Sequence, residues 1–282
     1  MSFWTQLQRI DRRYLYVAVA IVVLAPLVAR SGRHPTVVFD EVERAFATIE
    51  SVPPGKIVIV STVWGPGTIA ENGPQTEAIV RHLFRNRIPF LMISWDQEGA
   101  IWTYKIAERV QKECGREYGV DWAHSGYRPP PIFVVASGMA EDFQKVVGHD
   151  RFGKKLSELP SMRNVRNHKQ VGAVVEITPS ATVTSWMAYF TMPKRIPLVY
   201  CPTAVMATEA YPFLDSGQLA GMLNGVIGAA QYEKLLGMDD VRTDAAATSL
   251  ALSYAHVFII LLIVLGNAGY LINRRRQTNG RS

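Results

Sequence analysis

Two long stretches of this sequence lack charge altogether. Residues 14–29 (YLYVAVAIVVLAPLVA) and 250–272 (LALSYAHVFIILLIVLGNAGYLI) contain no Asp, Glu, Lys or Arg. The second, at 23 residues, is long enough to cross a hydrocarbon core of ~30 Å as a helix. The first, at 16 residues, is at the lower limit, reached when flanking residues snorkel or the bilayer thins. Cysteine is scarce, with Cys114 and Cys201 the two present, so a disulfide framework is excluded and at most one bridge is open. No G-x-S-x-G elbow occurs, nor the Lys-Ser/Thr pair of a phosphate loop, nor a complete dinucleotide glycine fingerprint. Gly65-Pro66-Gly67 is a loose approximation to a phosphate loop, and Pro66 has no N–H to offer. The six histidines show no metal-ligand spacing. There is no repeat of fixed period and no low-complexity tract. No cofactor and no metal is therefore expected, and no catalytic residue can be named.

The charge that is present sits outside the apolar stretches. The net charge is +6, yet residues 31–272 sum to −1. Arg9, Arg12, Arg13 and Arg30 against Asp11 give the first 30 residues +3, and Arg274, Arg275, Arg276 and Arg281 give the last ten +4. A basic protein invites nucleic acid, but a neutral body with basic clusters beside apolar spans reads as topogenic charge. Because basic residues stay on the cytoplasmic side, both termini are expected inside. The expected division is a cytoplasmic N-terminus at 1–13, spans at 14–29 and 250–272, an extracytoplasmic α/β domain at 30–249, and a basic cytoplasmic tail at 273–282. Arg30 and Arg33 oppose this weakly. A cleaved signal peptide is the rival for the first span, and Leu27-Val28-Ala29 lacks the small residue expected at the first position of a cleavage site. His256 falls within the second span, where a helix contact is expected of it, and His34 lies close to the first.

Between the spans, apolar runs alternate with helical periodicity. Val38, Val42, Ala45, Phe46 and Ile49 give a helix over 36–50, stopped at Pro53-Pro54-Gly55. Strands are expected at 56–62 (KIVIVST), 89–95 (PFLMISW), 132–136 (IFVVA), 171–177 (VGAVVEI) and 196–201 (IPLVYC). Helices are expected at 74–86, 98–118, 139–147, 181–190 and 215–236. The alternation implies βαβ units. The fold class is α/β: a single doubly wound, mostly parallel five-stranded sheet, Rossmann-like, flanked by two transmembrane helices. Such a fold puts Cys201 and Cys114 at opposite edges of the sheet, which argues against their pairing.

Open α/β sheets bind ligands beyond the carboxyl ends of their strands. The residues expected there are Trp64, Asp96, Ser137, Thr178, Thr203 and Asp215, with Asp96 the strongest polar contact. Helix capping is the plainer role for Ser137, Thr178 and Asp215. Cys201 at a strand end reads as a buried structural thiol rather than a nucleophile. His124, His149 and His168 fall in expected loops. Gly217, Gly221 and Gly225 recur at helical spacing within 215–236, so close packing against another backbone is expected, within the chain or at a subunit contact.

At SVPPGKIVIVSTVWGPGTIAENGPQTEAIVRHL and CPTAVMATEAYPFLDSGQLAGMLNGVIGAAQYEKL the chain resembles a family of prokaryotic membrane-anchored α/β proteins with no established activity. The resemblance spans most of the body between the apolar stretches. It implies location and architecture, and transfers no residue role. The expected function is a membrane-tethered ligand- or partner-binding subunit within an oligomeric membrane complex. Its partners would be the lipid bilayer, a small molecule, and further copies or other membrane subunits, but not nucleic acid. The alternative is a membrane-anchored hydrolase or transferase using the strand-end crevice, with two or more perturbed titratable groups converging there.

Overall fold

The computed structural model describes residues 10–29, 37–238, 241 and 243–279. Arg9, Arg30, Arg33, His34 and Arg281 lie outside them, as do the side chains of Arg275 and Arg276. The elements in chain order are α1 (Arg12–Ala29), α2 (Asp40–Glu50), β1 (Ile57–Thr62), α3 (Ile69–Arg85), β2 (Phe90–Ser94), α4 (Gly99–Cys114) and β3 (Trp122–Tyr127). Then come α5 (Ile132–Glu141), α6 (Phe143–Val147), β4 (Val171–Thr178), α7 (Val183–Trp186), a π-helical turn (Met187–Thr191) and α8 (Met192–Lys194). The chain continues through β5 (Leu198–Pro202), α9 (Ala204–Asp215), β6 (Gly221–Met222), α10 (Gly225–Leu235) and α11 (Asp244–Asn279). The chain divides into two compact units, His34–Asp239 and the two terminal segments Met1–Arg33 and Asp240–Ser282.

In the terminal unit, α1 and α11 are each long and apolar enough to cross a membrane. Their apolar side chains are not a soluble core: Val17, Ile21, Ile260 and Leu261 are each more than half exposed. The second apolar run is part of a helix longer than 250–272, because Ala245, Ala246 and Ala247 are strong helix formers that extend it toward Asp244. His256 bonds its own helix, with Nδ1 2.8 Å from the Leu252 carbonyl.

In the His34–Asp239 unit, the described strands form one parallel sheet in the order β3-β2-β1-β4-β5-β6. The sheet has six strands where five are expected. β1 and β4 are central and every residue in them is buried. Burying each Val or Ile there contributes ~1.5–3 kcal/mol. One face carries Ile57, Ile59, Leu91, Ile93, Val174 and Leu198 under α5, α6, α7 and α9. The other carries Val58, Val60, Phe90, Met92, Val175 and Val199 under α2, α3, α4 and α10. The chain after β1 peels to one face and the chain after β4 to the other. The winding thus reverses between neighbouring strands, which in this architecture opens a crevice at their carboxyl ends.

Three expectations are corrected. The third strand is not IFVVA: β3 is Trp122–Tyr127, and Ile132–Glu141 is helical. β3 is an edge strand in which His124 and Ser125 are nonetheless buried, and His124 is held there by the Thr103 hydroxyl at 3.1 Å and by Gly126 N at 2.8 Å. IFVVA satisfies a helical pattern instead, burying Ile132, Ala136 and Met139 and exposing Phe133 and Val134. His124 therefore lies in a strand, not a loop. The helix expected at 215–236 is divided: α9 ends at Asp215, the short strand β6 follows, and α10 starts at Gly225. The three glycines consequently share no helical stripe. Gly217 sits in a turn at φ +74° and Gly225 begins α10 at φ +54°, both left-handed conformations that favour glycine. Gly221 pairs in β6, and a Cβ there would lie 2.2 Å from Ala45 N in α2. Both cysteines are free.

Candidate functional site

A row of three polar side chains crosses the sheet at the reversal point. Ser61 on β1 is register partner to Glu176 on β4, which is register partner to Tyr200 on β5. All three side chains point to the face covered by α7 and α9. Ser61 Oγ accepts from two indoles, Trp95 Nε1 at 2.8 Å and Trp186 Nε1 at 3.0 Å. The π-helical turn follows Trp186 directly. Thr182 Oγ1 donates to Glu176 Oε1 at 2.6 Å, while Glu176 Oε2 is buried with no hydrogen-bond partner. Burial pushes the Glu176 carboxyl up to about 7, against the opposing effect of Ser61, Thr182 and Trp186. Leaving a buried polar atom unpaired costs ~1–3 kcal/mol, which favours the protonated carboxyl here, since its own hydrogen then occupies one of the two oxygens.

Beyond the row, hydroxyls line the turn from β4 to α7. Thr178 and Ser180 hydroxyls are 2.8 Å apart, and Ser180 and Thr182 are 3.3 Å apart. Tyr200 donates its hydroxyl to the Ser180 carbonyl at 3.2 Å. Burial raises the Tyr200 phenol well above its ordinary value, and the charges of Glu176, Cys201 and Glu209 add to the effect. Tyr200 floors a groove of about 260 Å³ between α7 and α9, walled by Val183, Met206, Ala210 and Phe213 and edged by Thr184 and Glu209. The α9 wall is anchored from below by α3. Glu71 Oε2 accepts from Ala204 N at 2.8 Å. The buried Gln75 amide donates toward the carbonyls of Pro202 (2.7 Å), Leu223 (2.8 Å) and Gly225 (3.2 Å).

The expected site residues divide. Thr178 ends β4 within the hydroxyl cluster. Thr203 follows β5 and precedes α9, at the same edge. Trp64 and Asp96 also lie at that edge, but against each other's loops rather than in the groove. Asp96 Oδ1 accepts from Gly99 N at 2.6 Å, capping the start of α4. A Cβ at Gly65 would sit 3.1 Å from that same oxygen. Trp64 is buried on the opposite face with Nε1 unpartnered. Ser137 and Asp215 are not at the edge. Ser137 is within α5, bonding the Phe133 carbonyl at 2.7 Å. Asp215 is the last residue of α9, and a helix returning antiparallel to β5 ends at the opposite edge. Cys201 is buried on the other face, its thiol pushed up by burial, as an inert structural cysteine would be.

Sequence reasoning passed over Ser61, Glu176, Tyr200 and Glu209. A signal for Glu176 was present: it is the one charged residue in VGAVVEIT, a strand buried on both faces. Among the described residues, no three His, Cys, Asp or Glu side chains come together to hold a metal ion. Two buried histidines lie away from the groove, on the other face. His82 meets the Tyr232 hydroxyl at 2.6 Å, and burial with the nearby Arg85 charge lowers it to about 4. His124 accepts from Gly126 N at Nδ1 (2.8 Å), and burial with the Arg151 charge lowers it to about 3.

The fold and edge define a doubly wound parallel α/β domain with a buried acid behind a small apolar groove. No protein-family model matches the chain, and no curated protein sequence does. Among solved structures it is similar to an α,α-trehalose-phosphate synthase (UDP-forming) from Burkholderia vietnamiensis, at 10% identity and TM-score 0.34, over 94% of this chain and 51% of that one. It is also similar to the N-terminal domain of trehalose-6-phosphate phosphatase from Candida albicans, at 12% identity and TM-score 0.33, over 80% and 46%. The chain spans about half the length of these structures. The likeness is confined to fold.

Proposed function

We propose that this chain is a membrane-anchored binding subunit of the prokaryotic family that it resembles. Its α/β domain is held outside the cytoplasm by α1 and α11 and takes a small molecule in the groove between α7 and α9. The observation that carries the reading is the apolar groove of about 260 Å³ that Tyr200 floors between α7 and α9, beside the strand ends where such folds bind ligands. Mild-detergent purification followed by mass spectrometry of released compounds tests it. A small molecule should leave the wild-type chain and be lost in Thr184→Trp, which fills the groove from its exposed rim. Identical spectra from the two would overturn the reading.

The orientation follows from the arginines flanking the two helices. In intact cells, an impermeant thiol reagent should modify a cysteine engineered at Gly153 and spare one at Thr278. The reverse pattern would invert the topology. Gly221 is packed within its own chain, so it offers no support for a subunit contact; the partners proposed are the bilayer, a small ligand, and further copies or other membrane subunits met through another surface.

A membrane-anchored hydrolase or transferase is the second reading, favoured by Glu176 at about 7 beside Tyr200. An acid near neutrality suits proton transfer. Glu176→Gln separates the two: a binding subunit retains the co-purifying compound unaltered, whereas an enzyme accumulates its substrate in place of product.

A further inference from the structure

We propose that the groove between α7 and α9 selects a small amine cation with an apolar body, its ammonium held between the Glu209 carboxylate and the Tyr200 hydroxyl oxygen. This rests on the groove being a ligand site, as proposed above, and names the class of ligand.

The walls set the body. Val183, Met206, Ala210 and Phe213 are apolar, and about 260 Å³ is below the ~300–1,000 Å³ of a site for a drug-sized molecule. A short alkyl or single-ring group fits. The charges set the head. No Lys, Arg or His lines the groove. Of the groups that act electrostatically on Tyr200, Glu209 and, at pH 8, Glu176 supply negative charge, while burial keeps the Cys201 thiol neutral. Glu209 forms no salt bridge among the described residues. The field in the groove is therefore negative and uncompensated, beside walls of low dielectric that strengthen it.

Hydrogen-bond capacity agrees. Tyr200 spends its proton on the Ser180 carbonyl, so its oxygen is left to accept. Glu209 as a carboxylate only accepts. An ammonium brings three donors and no acceptor. An alcohol of the same body would leave the Glu209 charge unpaired, and a carboxylate would meet like charge.

The test uses the full chain in detergent micelles at pH 8 and low salt, titrated calorimetrically against blank micelles. The probes are n-butylammonium, 1-butanol and butyrate. Butylammonium should bind, butanol at least tenfold more weakly, and butyrate not at all. Glu209→Gln, at an exposed position, should bring butylammonium down by roughly tenfold, to the butanol level. Added salt should weaken butylammonium with the wild type and leave the variant unchanged. If ammonium and alcohol bind alike and Glu209→Gln changes nothing, the amine selectivity is wrong. The groove itself then still stands, provided Thr184→Trp abolishes both. If no probe binds the wild type, the amine proposal is overturned. A compound that co-purifies with wild type and not with Thr184→Trp would in that case still uphold the groove.

Discussion

Replacing Gly221 by leucine should destabilise the α/β unit by ~3 kcal/mol or more, at or beyond the top of the ~1–3 kcal/mol usual for overpacking. Even the first added carbon would lie 2.2 Å from Ala45 N and 2.4 Å from Ala45 Cα. Those are backbone atoms of α2 and cannot rotate aside. Relief would require α2 to lift from the sheet, and α2 also buries Val42 and Ile49. In a domain of this size the melting temperature should fall by ~10 °C. Gly217→Ala is the comparison: nothing lies within 4 Å of a Cβ there, and the left-handed φ is the sole source of strain, worth ~1–2 kcal/mol. Thermal unfolding of the two variants in the same detergent should rank Gly221→Leu far below Gly217→Ala. Equal losses would mean that the α2–β6 contact is not tight.

Glu176→Gln should stabilise the chain at pH 8. The carboxyl titrates about 7 in the fold against an ordinary value of 4.5, so between those values the folded chain holds a proton that the unfolded chain has released. The Glu176 contribution to stability must then fall as pH rises from about 4.5 to about 7, by ~3 kcal/mol in all. Glutamine carries no charge and removes the loss. His82 and His124 act in the opposite direction. Their folded values, about 4 and about 3, lie below the ordinary 6.5, so the unfolded chain takes up protons first as pH falls, and stability drops below about 6.5. Where the two effects overlap they partly cancel, so wild-type stability should rise gently from pH 5 to about 6.5, by ~1.5 kcal/mol, and then stay level to pH 8. The glutamine variant should rise about twice as steeply over the same range, leaving it the more stable form at pH 8. Denaturant unfolding of both at pH 5, 6.5 and 8 measures the difference. Parallel profiles for the two would mean that Glu176 is ionised in the fold at no penalty.

Much of this fold is written in local pattern, and the exceptions have physical causes. KIVIVST and VGAVVEIT can hardly be anything but central strands, and both are. α4 shows its periodicity plainly and closes on Gly115 in a left-handed turn. The edges were harder to read. β3 contains His124, Ser125 and Gly126, which break the apolar run that marks a strand even though His124 and Ser125 are buried. β6 is two residues long, too short for any periodicity, and it was absorbed into a helix that it in fact interrupts. That error displaced Asp215 and dissolved the glycine stripe. The site was legible only by place. Thr178 and Thr203 follow strands and lie at the proper edge, but the groups with altered chemistry, Glu176 and Tyr200, are inside strands. There, alternation marks a residue as inward without saying which neighbour it will meet. The meeting of Ser61, Glu176 and Tyr200 is a matter of register between strands far apart in sequence.

The hold of Gln75 on three carbonyls has a mechanical consequence. Because one amide from α3 grips the ends of β5 and β6 and the start of α10, and Glu71 fixes the first residue of α9 beside it, the α9 side of the groove behaves as a fixed jaw. The opposing jaw is α7, four residues long, continued by a π-helical turn rather than a regular helix. If the groove takes a guest, as proposed, its opening on entry and exit is therefore one-sided. It would swing through Thr182 and Trp186, the two residues of that jaw that touch the Glu176 carboxyl and its serine neighbour, so admission of a guest and solvation of the buried acid become the same movement.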